Sequence, residues 1–157
     1  MNGLAAIALG SNLNSEFGDR EANLQETVQR IGGLGEVRAV SSFYDTEPVG
    51  FLEQPRFLNG ALVLETELEP VALMRELLEV ERAMGREREG AVVKGPRVID
   101  LDLLLYGDVV MSTDELTLPH PEMQARRFVL EPLAEIAPEW VHPVLGVTVG
   151  TMLERLS

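Results

Sequence analysis

Two carboxylates one residue apart, Asp100 and Asp102, interrupt an otherwise apolar run, Val98-Ile99-Asp100-Leu101-Asp102-Leu103-Leu104-Leu105-Tyr106. Side chains at i and i+2 of a strand project to one face. The spacing therefore predicts Asp100 and Asp102 side by side on a face shared with Val98, Leu104 and Tyr106. Ile99, Leu101, Leu103 and Leu105 are expected on the other face. Two like charges that close repel one another unless something positive neutralises them. A hard divalent cation is the simplest partner, and a strand-borne Asp pair suits Mg²⁺ shared with substrate phosphates. A solvated strand face with two acids is the plainer alternative. The tight apolar frame and the preceding Gly95-Pro96-Arg97 favour the metal.

The basic residues point the same way. The chain of 157 residues carries a formal net charge of −13, which argues against a general affinity for nucleic acid. Yet Arg82, Arg86, Arg88, Lys94, Arg97, Arg126 and Arg127 place seven of its 13 basic residues between positions 82 and 127. An acidic protein with a local basic cluster beside paired aspartates suits a small anionic ligand. Taken singly, Arg82 and Arg127 also read as ordinary helix-end arginines.

The elements that must position these residues are legible in the periodicity. Residues 4–9 read as a strand ended by Gly10-Ser11-Asn12. Residues 19–31 read as a helix through Leu24, Val28 and Ile31, stopped by Gly32-Gly33. Extended character resumes over 37–45, and 46–55 reads as a long exposed loop. A strand over 57–67 precedes a helix opened by Glu69-Pro70, with a stripe of Leu73, Met74, Leu77, Leu78 and Met84 and a stop at Gly85. Residues 86–94 form a polar loop before the strand at 98–106. The order β-α-β-β-α-β predicts an α+β, ferredoxin-like core. Its mainly antiparallel sheet carries both helices on one face and leaves the other free for a ligand. A Pro119-His120-Pro121 turn and helical stretches at 128–136 and 151–156 form a C-terminal cover.

Length predicts one domain over 1–157. Without cysteine there is neither a disulfide framework nor a thiolate metal site. No apolar run approaches a membrane span, and no basic segment leads into a cleavable apolar one. A cytoplasmic location is expected.

Several segments together resemble one family, the 6-hydroxymethyl-7,8-dihydropterin pyrophosphokinases of folate biosynthesis. They are Ala8-Leu9-Gly10-Ser11-Asn12-Leu13, Ser41-Ser42-Phe43-Tyr44 with Thr46, and Gln54-Pro55-Arg56-Phe57-Leu58-Asn59. Gly95-Pro96-Arg97 with Asp100-Leu101-Asp102, Leu118-Pro119-His120 and Arg126-Arg127-Phe128 follow in the same order. Each is weak alone, and the ordered set is specific. The resemblance implies transfer of the β,γ-diphosphate of ATP to the pterin's hydroxymethyl oxygen, with release of AMP.

Carried over residue by residue, it implies that Asp100 and Asp102 hold two Mg²⁺ ions and are catalytic together with Arg86 and Arg97. ATP contacts would come from Glu81, Arg86, Arg88, Arg97, Leu103, Thr117, His120 and Arg126, with Glu81, Leu103 and Thr117 toward the base. Pterin contacts would come from Thr46, Val49 through its backbone, Phe57, Asn59 and Phe128, with the two phenylalanines stacking on the ring. Lys94, Pro121 and a loop about one residue longer depart from the family pattern and bear on loop closure. ATP and the pterin are the expected partners, with no nucleic acid or membrane, and the protein is expected to be a monomer that binds MgATP first. A metal-dependent phosphohydrolase, a ligand-binding regulatory module and an RNA-binding domain are the competing classes. Two histidines are few for the first, the Asp pair lacks a purpose in the second, and the charge opposes the third.

Overall fold

Local signals start and stop the helices. The computed structural model describes residues 2–46, 55–85 and 98–156. The first strand, β1 (Gly3–Ser11), leads to α1 (Arg20–Ile31), where the Asp19 side chain accepts from the Ala22 N–H at 3.0 Å. Such an N-cap stabilises a helix by about 1 kcal/mol. The second helix, α2 (Pro70–Ala83), opens on a proline, whose missing N–H lacks a helical partner at that position anyway. Gly85 follows it at φ +94°, a left-handed conformation that a Cβ disfavours.

The sheet contains β1, β2 (Glu36–Val40), β3 (Tyr44–Thr46), β4 (Phe57–Thr66) and β5 (Asp100–Tyr106). Its order is β2-β4-β1-β5, with β3 also on β4 and every pairing antiparallel. This is the ferredoxin-like arrangement expected from the element order. Leu24 and Ile31 of α1 and Leu73 and Leu77 of α2 close on Ile7, Leu9, Leu62, Leu64, Leu101 and Leu103, all buried. Both helices therefore share one face, as expected.

The other face is divided. Beyond β5 come a small hairpin, β6 (Met111–Ser112) with β7 (Thr117–Leu118), then α3 (Arg127–Ile136) and α4 (Val149–Arg155). Val129, Leu130, Leu133, Val149 and Met152 of these helices bury Ala6, Ala61, Leu104 and Leu105. The small side chains of Ala6 and Ala61 let a helix lie close to the sheet. The C-terminal cover thus takes part of the face that the sequence left open. Phe57, Asn59, Gly10 and Asp100 occupy the part beyond it.

One expectation about β5 needs correction. The register with β1 pairs Ile7 with Leu103 but Ala6 with Leu105, so a bulge falls at Leu104. Alternation holds from Ile99 to Leu104 and then changes phase. Leu105 joins Leu104 on the α3 side, and Tyr106 turns to the α1/α2 side, where its hydroxyl donates to the Leu68 carbonyl. Val98 also packs with the α1/α2 core. Strict period-two reading could not see the inserted residue.

The extended stretch from 37 to 45 is likewise two strands rather than one. At the break, the Ser41 N–H donates to the Ala61 carbonyl and the Ser41 hydroxyl accepts from the Ala61 N–H, both at 2.9 Å. A side-chain oxygen thus replaces a ladder carbonyl, and the chain steps outward. Phe43 then lies over Gly60, where a Cβ would come within 2.8 Å of its ring.

Candidate active site

Cross-strand register assembles the site. Asn59 of β4 pairs with Gly10 of β1, and Gly10 pairs with Asp100 of β5. Ala61, Ala8 and Asp102 form the next row. Directly paired residues share a face, so Phe57, Asn59, Asp100 and Asp102 stand on one surface. Asn59 and Asp100 are two strand spacings apart, about 9–10 Å. Between them lies Gly10, where a Cβ would meet Asn59 Oδ1 at 2.8 Å and Phe57 Cδ1 at 3.6 Å. Glycine is the residue that leaves these side chains their space.

On the β4 side, Asn59 is buried and its amide donates to the Thr46 hydroxyl across the β3–β4 pair. That contact fixes which end of the amide faces the Gly10 gap. The Thr46, Phe57 and Asn59 side chains are thus brought together. Phe57 and Phe128 are both partly exposed, as a stacking platform must be.

On the β5 side, the Asp102 side chain is 34% exposed and its Oδ1 lies 3.6 Å from His120 Nε2. The His120 N–H donates to the Leu104 carbonyl at 2.9 Å, anchoring the loop after β7 against the bulge. His120 Nδ1 accepts from the Glu122 N–H at 3.3 Å. A neutral imidazole in this arrangement carries its proton on Nε2, the atom toward Asp102. The Leu118–Pro119 peptide just before it is cis. Among the described residues no group of three or more His, Asp or Glu gathers to hold a metal. Two half-exposed carboxylates with oxygen donors alone fit Mg²⁺, which normally completes its shell with water and phosphate.

Arg126 sits between two neighbours. Its guanidinium is paired with Glu122 and lies 5.7 Å from the centroid of the Phe128 ring. Phe128 lies in the first turn of α3, so the helix that covers the sheet also carries this ring.

Not every candidate shares the face of the Asp pair. Leu103 is buried in the α1/α2 core. Glu81 is fully buried on α2 and accepts from the Leu101 N–H at 2.7 Å, on the helix side of β5. Thr117 is exposed on β7. Val49, Arg86, Arg88, Lys94 and Arg97 lie outside the described residues. Sequence reasoning named neither Gly10 as a spacer nor Glu122 as the partner of Arg126. The four-residue spacing of Glu122 and Arg126 was the available signal.

A family model described as 7,8-dihydro-6-hydroxymethylpterin-pyrophosphokinase matches residues 6–138. The chain belongs to this family. It is 45% identical over 138 residues to the 2-amino-4-hydroxy-6-hydroxymethyldihydropteridine pyrophosphokinase of Bacillus subtilis, covering 87% of this chain and 79% of that one. The protein of the same name from Synechocystis sp. is 40% identical, with 98% and 76% covered. The folic acid synthesis protein fol1 of Schizosaccharomyces pombe is 39% identical over 99% of this chain, which spans only 21% of its length. The solved Plasmodium falciparum HPPK-DHPS superposes with a TM-score of 0.75 at 14% identity, over 99% of this chain and 45% of that one. That likeness establishes the shared fold.

Proposed function

We infer that this chain transfers the β,γ-diphosphate of ATP to the hydroxymethyl oxygen of 6-hydroxymethyl-7,8-dihydropterin, a step of folate biosynthesis. The observation that carries this reading is the family match over 6–138, on a sheet whose single face bears both the Asp pair and the Phe57–Asn59 surface. In the reaction the substrate hydroxyl oxygen forms a bond to the β-phosphorus and loses its proton. The bond from that phosphorus to the bridging oxygen breaks, and AMP leaves with the oxygen.

The pterin stacks between Phe57 and Phe128, with Asn59, Thr46 and the Val49 main chain reading its amide-like edge. The 9–10 Å between Asn59 and Asp100 then sets the ring on β4 and its hydroxymethyl arm toward β5. Asp100 and Asp102 are the residues that would hold Mg²⁺, two ions in this reading, and the metal supplies neutralisation of phosphate charge when bound. His120 Nε2–H donates to a phosphate oxygen beside Asp102. Arg126 exchanges Glu122 for the triphosphate, and Arg86, Arg88 and Arg97 add phosphate contacts. Such alignment and charge neutralisation are what phosphoryl-type transfer chiefly requires. The base end of ATP lies along the edge of β5 toward Thr117, read through main-chain groups such as those of Leu103, because the Leu103 and Glu81 side chains are buried on the helix side.

The protein is expected to work as a cytoplasmic monomer. Among the described residues no helix is long and apolar enough to cross a membrane. The test is replacement of each aspartate. Asp100→Asn and Asp102→Asn should each lower AMP formation by about 10²–10³ while leaving the circular dichroism spectrum intact. Turnover at the unsubstituted rate in both variants would remove the carboxylates from the mechanism.

A further inference from the structure

The Ser41-Ser42-Phe43-Tyr44 segment carries no substrate contact in the reading above, yet polar atoms of Ser42 and Tyr44 converge on one distant carboxylate. Glu135 Oε2 accepts from the Ser42 N–H at 2.9 Å and the Ser42 hydroxyl at 3.2 Å, and Oε1 accepts from the Tyr44 hydroxyl at 2.6 Å. We propose that Glu135 is a positioning residue for the pterin side of the site, fixing α3 against β3 so that Phe128 and Thr46 keep their separation. The proposal rests on the pterin slot of Phe57, Asn59, Thr46 and Phe128.

The geometry runs through both ends of the clamp. Glu135 stands seven residues after Phe128 on α3, so the two share a helix face about 10 Å apart along the axis. Tyr44 opens β3 directly opposite Asn59, and Thr46, two residues on, accepts from the Asn59 amide. β3 is only three residues long and pairs with the sheet through β4 alone. So short an edge strand depends on side-chain contacts for its position. Its other face is braced separately, where Asp45 pairs with Arg20 at 3.1 Å and with Arg56 at 2.8 Å. Among the hydrogen bonds and ion pairs of the described residues, the Tyr44–Glu135 bond is the one that joins β3 to the helix bearing the opposing ring.

Hydrogen bonding, rather than burial, sets the protonation of this clamp, since Glu135 and Ser42 are exposed. The Tyr44 phenol is pushed up to about 12 by its bond to Glu135, and the same bond with the Ser42 donors holds the Glu135 carboxyl below its ordinary range. The donors thus stay protonated and the acceptor stays charged.

The test measures two ligands on the clamp variants and their controls. Pterin affinity is read by calorimetry in the presence of Mg²⁺ and a non-transferable ATP analogue, and the analogue's own affinity is read separately. Glu135→Ala should weaken pterin binding about tenfold and Tyr44→Phe about threefold, with the analogue within about twofold of the parent. Combined, the two substitutions should cost little more than Glu135→Ala alone, because they remove one device. Glu154→Gln, on exposed α4 surface, should change neither ligand. Equal weakening of both ligands, unchanged pterin affinity, or full additivity would overturn the proposal. Phe128→Ala and Asn59→Ala separate the two readings. If they abolish pterin binding and Glu135→Ala leaves it unchanged, only the positioning role fails. If they too leave it unchanged, the slot itself fails, and the proposal with it.

Discussion

Replacing Gly10 with alanine asks whether the gap between β4 and β5 is a substrate path. The added methyl would lie 2.8 Å from Asn59 Oδ1, closer than real Cβ contacts come, and 3.6 Å from Phe57, an ordinary contact. Relief must therefore come from Asn59. That side chain is buried and tied to Thr46, so swinging it away sacrifices one hydrogen bond. The loss to folding stability should be about 1 kcal/mol, plus overpacking of similar size. Stability alone would leave the protein folded. Binding should suffer more, since the displaced amide is the group proposed to read the pterin edge. Pterin affinity is expected to fall at least about tenfold, while the ATP analogue, placed on β5 in the proposed reading, should bind as before. Urea unfolding and calorimetry on the same variant give both quantities. Pterin binding as tight as the parent's, with the 1–2 kcal/mol stability loss observed, would refute the placement of the pterin against Gly10 and Asn59.

Three further outcomes follow from particular contacts. Glu122→Gln should tighten binding of the ATP analogue by about two- to threefold, because an exposed pair competing for Arg126 is weak; weaker binding would show that Glu122 assists the nucleotide. His142 is buried, and burial lowers its pKa below the ordinary 6.5, while its Nδ1 accepts from the Val144 and Leu145 N–H groups. The unfolded chain then binds the proton more readily, so stability should be full above pH 6.5 and fall as the pH drops below it, a slope that His142→Asn should flatten in urea titrations. The Glu135 carboxyl titrates below its ordinary 4.5, so the clamp's contribution should be present above that pH and lost as the pH falls through the lower folded value. Near-ultraviolet circular dichroism of Tyr44, with Tyr44→Phe as reference, should show the loss, and an unchanged signal down to complete unfolding would count against it.

The parts of this molecule that repeat a period were legible in its sequence. Leu24, Leu73 and Leu77 lie buried where helical spacing put them, and Asp19, Pro70 and Gly85 punctuate the helices by local backbone chemistry. Asp100 and Asp102 share a face because their spacing allows nothing else while β5 remains regular. The failures have local causes of another kind. One inserted residue at Leu104 reversed the sides of Leu105 and Tyr106, and a serine hydroxyl at Ser41 ended a strand that propensity would have continued. Glu135 was invisible because its three donors lie more than 90 positions away along the chain, and no spacing rule joins them. The two-strand hairpin of β6 and β7 was too short to register as a pattern.

The central claim is that a diphosphate moves as a unit from ATP to the pterin. ATP labelled at the β-phosphorus tests it directly, with Mg²⁺ and 6-hydroxymethyl-7,8-dihydropterin present. The label should appear in the pterin product, with unlabelled AMP formed in equal amount and only when all three components are supplied. Label retained in ADP, or free phosphate released without the pterin, would contradict the account.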